Sequence, residues 1–96
     1  VVFVISDNLS NTAENRCLDW LMGNTTTAPT TPLKVALVTA NGNDATAGTE
    51  VTGGSYARKT LTVAAASSGA TSNSADLSWT GMPACTVVGV EIWDSA

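Results

Sequence analysis

Apolar residues fall in short segments separated by long runs of Thr, Ser, Ala, Asn and Gly. Short apolar runs bounded by turn residues point to β architecture. Val1–Ile5 (VVFVI) is rich in β-branched residues and apolar at every position, which predicts a strand covered on both faces. The same five residues also suit an arm that adds as a strand to the edge of a neighbouring chain.

One helix is predicted, over residues 12–22. Asn11 and Glu14 have the spacing of a capping box, and Gly23 stands where a left-handed residue ends a helix. Ala13, Cys17, Trp20 and Leu21 fall at i, i+4, i+7 and i+8, with Leu18 widening the stripe. After the Thr/Pro-rich connector 24–32, Leu33–Ala40 predicts a strand with Leu33, Val35 and Leu37 on one face.

Residues 41–55 read as a long loop. Residues 56–65 read as a strand with Leu61 and Val63 inward and Tyr56, Arg58, Thr60 and Thr62 outward. Ala75, Leu77 and Trp79 alternate strictly with polar residues, which predicts a strand over 75–80. Residues 85–93 form the last, with Val88, Val90 and Ile92 on one face and Glu91 and Trp93 on the other. The rhythm lacks β-α-β alternation. The expected fold is therefore mainly β: an antiparallel sheet or small β-sandwich in one domain over 1–96, with the helix at an edge or end.

Composition removes several function classes. The 96 residues contain no histidine, so His-dependent triads, Cys–His dyads and the commonest metal ligand are excluded. No nucleophile elbow or phosphate-binding loop occurs. The eight carboxylates show no spacing that singles out a catalytic pair. No catalytic residue, metal or cofactor is assigned, and the chain is not expected to be an enzyme. Asn41, Asn43, Asp44 and Glu50 offer oxygen ligands of the kind calcium takes, but turn chemistry accounts for them equally well.

The formal net charge is −4, with Arg16, Lys34, Arg58 and Lys59 the only cations. That leaves no basic patch for nucleic acid. The longest apolar run, Val1–Ile5, falls far short of the roughly 20 residues that span a bilayer, so no membrane partner is expected. Cys17 and Cys85 are too few for a disulfide framework and are expected as free, buried thiols, with a single disulfide the alternative. Trp20 and Trp79 fall on apolar faces and are expected in the core. Trp93 shares a face with Glu91 and suits an interface anchor as well as intrachain cover. Tyr56 and Arg58 make a second candidate patch.

The stretches LSNTAENRCLDWLMG (Leu9–Gly23), LKVALVTA (Leu33–Ala40), AGTEVTGGSYARKTLT (Ala47–Thr62) and VVGVEIWDSA (Val87–Ala96) resemble a family of small bacteriophage virion proteins labelled tail-fibre-like. Thr49–Arg58 (TEVTGGSYAR) is the most specific of these pieces. The resemblance implies a structural virion component, a capsid decoration or tail-fibre-like module built mostly from antiparallel strands. It also implies further strands beyond Ala96. The expected partners are other virion proteins and further copies of this chain. Candidate contact residues are Val1, Val2, Phe3, Val4, Ile5, Tyr56, Arg58 and Trp93. A host-surface module that binds glycans through Tyr56 or Trp93 is the alternative, and a pilus-type domain completed by a donor strand is a third reading.

Overall fold

The computed structural model describes residues 9–24 and 28–95. Val1–Ile5, expected as a strand or arm, lies outside the described residues. A helix, α1 (Asn11–Leu21), precedes four strands: β1 (Leu33–Ala40), β2 (Thr49–Glu50), β3 (Lys59–Leu61) and β4 (Gly89–Trp93). They form one antiparallel sheet, as the hydrophobic pattern implies.

β1 is the hub. On one edge it pairs with β4 from Lys34↔Trp93 to Val38↔Gly89. Its other edge is shared: β3 takes the first half through Leu33↔Leu61, Lys34↔Thr60 and Val35↔Lys59. β2 takes the second half through Val38↔Glu50 and Ala40↔Thr49. A strand with neighbours on both edges and cover on both faces should be apolar throughout. Residues 35–38 of β1 are accordingly all buried. Together with Val51 they make up the buried apolar core among the described residues.

The turn between β2 and β3 uses Gly53 and Gly54, at φ +95° and +57°. A Cβ on Gly54 would lie 2.7 Å from the Gly81 carbonyl oxygen, so both the dihedral and the close backbone approach require glycine there.

Several expectations need correction. The helix starts one residue earlier than the Asn11–Glu14 spacing suggests: Ser10 is the cap, its hydroxyl accepting from the Ala13 N–H at 3.2 Å. The apolar stripe of α1 does not enter the core, and Trp20 is 64% exposed. The helix instead stands at the periphery of the sheet, held by the Asn11 N–H donating to the Asp44 carbonyl (2.8 Å) and by an Arg16–Asp94 ion pair at 3.4 Å. Cys17 and Cys85 are free, as expected, but exposed rather than buried.

Residues 75–80 are not a strand despite their alternation. Trp79 is half-buried there, fixed by its indole N–H donating to the Ala57 carbonyl at 2.8 Å. Period-two patterning reports an extended segment with two unlike faces, and it says nothing about ladder partners. The strands expected over 56–65 and 85–93 shrink to β3 and β4, while β2 lies inside what reads as loop. The loop before it is closed by turn chemistry, as Asn43 Oδ1 accepts from the N–H groups of Ala45 and Thr46, both at 2.9 Å.

Candidate functional site

The two faces of the sheet differ in kind. Directly paired residues share a face, so the registers place Lys34, Ala36, Val38, Glu50, Thr60, Glu91 and Trp93 on one side. Arg58 and Tyr56 join them from the segment that leads into β3. The three scattered candidates Tyr56, Arg58 and Trp93 thereby come together in one cluster, built around Glu50.

Glu50 is the centre. Its carboxylate accepts from Arg58 Nε at 3.2 and 3.0 Å and from Arg58 Nη2 at 2.9 Å, a two-pronged pairing that fixes the guanidinium plane. The Tyr56 hydroxyl donates to Glu50 Oε2 at 2.5 Å. That hydroxyl also accepts from the Leu37 N–H at 3.0 Å. The second bond explains why a tyrosine stands here. Leu37 faces the edge of β1 between the end of β3 and the start of β2. Its carbonyl reaches the Val51 N–H at 3.0 Å, but no strand residue meets its N–H. Tyr56 fills the missing rung of the ladder with a side chain. It is therefore half-buried, not outward as the alternation suggests.

Arg58 continues across the sheet. Its guanidinium carbon lies 4.6 Å from the Trp93 ring centroid, a cation–π contact from the β3 side of β1 to β4 on the other. The stem has to pass over β1, and extending the β1–β3 register puts Ala36 at that level. A methyl group leaves room for the crossing, and Ala36 is fully buried beneath it. Glu91 closes the far end by accepting from the Gly48 N–H at 2.8 Å, tying β4 to the loop before β2. Trp93 is left 36% exposed at the surface of this assembly.

The hydrogen bonds from Arg58 hold the Glu50 carboxyl below its ordinary 4.5, with the Tyr56 hydroxyl and the Arg58 charge adding to them and partial burial opposing. Burial, reinforced by the bond to Glu50, pushes Tyr56 above 10.0. A depressed carboxyl in the folded state adds stability that is complete above about pH 4.5 and lost as pH falls through the lower folded value. Acid is therefore expected to lower the melting temperature of the native chain more than that of Glu50→Gln. The gap between the two at pH 7 should narrow by pH 3, as followed by circular dichroism; a constant gap would contradict the role given to the carboxylate.

Sequence reasoning missed Glu50 and Glu91 as members of this cluster. For Glu50 a signal existed, because an acid and an Arg flank the Gly53-Gly54 turn eight residues apart. For Glu91 none did.

Three of the four central residues, Glu50, Tyr56 and Arg58, lie in the segment Thr49–Arg58, on which the resemblance to phage virion proteins chiefly rests. Residues 8–96 match the family described as Podophage GP4 fiber I protein gp80. The chain belongs to this fibre family. The expected kinship with tail-fibre-like phage proteins is thus established over nearly the whole sequence, and the chain is a structural component of the virion. Comparison with curated proteins and with solved structures finds no significant match. Among its described residues this gp80 family member is mainly β, with a single helix.

Proposed function

We propose that this chain is a non-enzymatic module of a phage fibre that docks on other virion proteins through the Tyr56–Arg58–Trp93 face, with Val1–Ile5 as a second contact. The observation that carries this reading is the preorganised Arg58, held by two prongs on Glu50 and laid on Trp93. Tyr, Trp and Arg dominate protein interface energetics when their geometry is fixed before binding, because little side-chain entropy remains to be lost. The sheet provides that fixation. Membership of the fibre family favours the fibre over a capsid decoration.

The glycan-binding alternative is less well supported, since sugar recognition by stacking needs an open ring face and Arg58 occupies one face of Trp93. The supporting experiment is incorporation into particles. Trp93→Ala is expected to reduce the copies per virion by about tenfold or more, the effect of losing one interface anchor, as measured by quantitative mass spectrometry of purified phage. Immunogold labelling should place the native chain on the fibres. Unchanged occupancy of a folded Trp93→Ala chain would overturn the assignment.

A further inference from the structure

The Tyr56–Arg58–Trp93 face holds two cations with open donors. Glu50 takes the Nε–H and one Nη2 N–H of Arg58, the side-on edge of the guanidinium. The end-on edge, made of Nη1 and the second N–H of Nη2, meets no acceptor among the described residues. The Arg58 side chain is 37% exposed, so a partner can reach it. Glu50 and the Trp93 ring hold the guanidinium plane, which gives the open edge a set direction before anything binds. Parallel N–H groups in one plane match the two oxygens of a carboxylate.

Lys34 is the second such cation. It pairs in register with Trp93 on one side and Thr60 on the other, which places it on the same face. Its Nζ donates to the Thr60 hydroxyl at 2.8 Å and makes no ion pair among the described residues. Two of the chain's four cations thus share this face. Arg16 is paired with Asp94, and Lys59 lies on the opposite face through its register with Val35. The face also holds two acids, but both are turned onto the chain's own donors. Glu50 accepts from Arg58 and Tyr56, and Glu91 accepts from the Gly48 N–H. What remains for a partner is positive charge beside a part-exposed tryptophan.

We infer that the virion protein docked on this face presents acidic side chains, one carboxylate on the open edge of Arg58 and another at Lys34. The inference rests on the docking role of the Trp93 face and adds the chemistry of its partner. A net charge of −4 repels a long polyanion such as nucleic acid, whereas a short acidic stretch is held by direct contact. Little side-chain entropy is lost on binding, because Arg58 is already fixed.

Carbodiimide treatment of purified virions tests this, because it joins a lysine amine to a carboxylate in contact with it. The chain's two lysines, Lys34 and Lys59, stand on opposite faces, so Lys59 is an internal control. Expected is a crosslink from Lys34 to an Asp or Glu of another virion protein, found by mass spectrometry of digested particles and lost in Lys34→Arg. Lys34→Glu sets like charges together and should lower the copies per virion about tenfold or more, while Lys34→Arg leaves them unchanged. If Lys34→Glu loses its fold, the crosslink on the unaltered chain decides. Crosslinks from Lys34 confined to acids of its own chain, or crosslinks from Lys59 alone, would overturn the proposal. With Trp93→Ala still lost from particles, such a result removes only the acidic partner; full occupancy of Trp93→Ala removes the docking face itself.

Discussion

Gly48→Ala is expected to cost about 3 kcal/mol and to lower the melting temperature by about 12–24 °C, the conversion usual for a domain of this size. A Cβ at position 48 would lie 2.3 Å from the Ala40 carbonyl oxygen and 2.9 Å from the Gly42 N. Both are backbone atoms, one at the end of β1 and one in the connection that follows it, so no rotamer change relieves the clash. Gly42 faces the same crowding from the other side, 2.4 Å from the Thr46 carbonyl oxygen. The chain folds back on itself here at a distance only two glycines allow. Any outward shift of residue 48 also draws its N–H away from Glu91 and loosens the tie to β4. Gly69→Ala is the control: its φ of +75° brings strain of about 1 kcal/mol but its Cβ meets nothing within 4 Å. Thermal unfolding followed by circular dichroism ranks the two, and equal melting temperatures would refute the close-approach argument.

Tyr56→Phe is the second large effect, about 2–3 kcal/mol for the loss of one oxygen atom. The magnitude follows from what is left behind. The Leu37 N–H, in the most buried stretch of β1, loses its acceptor, and an orphaned buried donor costs about 1–3 kcal/mol. Glu50 at the same time loses a short bond. Hydrogen exchange separates this mechanism from general weakening, because the Leu37 amide should accelerate beyond its neighbours Ala36 and Val38. Uniform acceleration would mean that the hydroxyl acts only through Glu50. Combining Tyr56→Phe with Glu50→Gln should cost less than the two single changes together, since they share a network.

The parts of the fold that were legible in the sequence are those where one local rule dominates. β1 is apolar on both faces over residues 35–38, with Leu33, Val35 and Leu37 sharing one face, and it appears with the bounds the pattern gives. The helix is signalled by its stripe and by Gly23, and it moves by one residue only because a Ser immediately precedes the Asn. Elsewhere the local rule loses to a tertiary one. β2 is two residues long, too short for any periodicity, and exists because β1 offers it an edge. Residues 75–80 have the pattern of a strand but no partner, and Trp79 secures them through a side-chain bond instead.

The candidate site was half legible. Tyr56, Arg58 and Trp93 stand out by residue type, but that they form one cluster depends on the registers of β3 and β4 against β1, which alternation does not encode. The expectation that Trp20 lies in the core failed because an amphipathic stripe states only that a face needs cover, not that the same chain supplies it.

The way the chain enters and leaves the sheet has a mechanical consequence. β1 starts and β4 ends at the same end, where the Ser95 N–H donates to the Thr30 carbonyl and the Ser95 hydroxyl to that of Pro32. Tension applied between residues 30 and 95 would therefore open the β1–β4 pair like a zipper, rung by rung from this fork, and would not shear all rungs at once. A fibre pulled along its chains in this way meets the Ser95 clamp first, then the Lys34–Trp93 rung, and only then the buried middle. Under load between these two points the module yields from its fork, so the order of the rungs, and not their total number, sets the force at which it first opens.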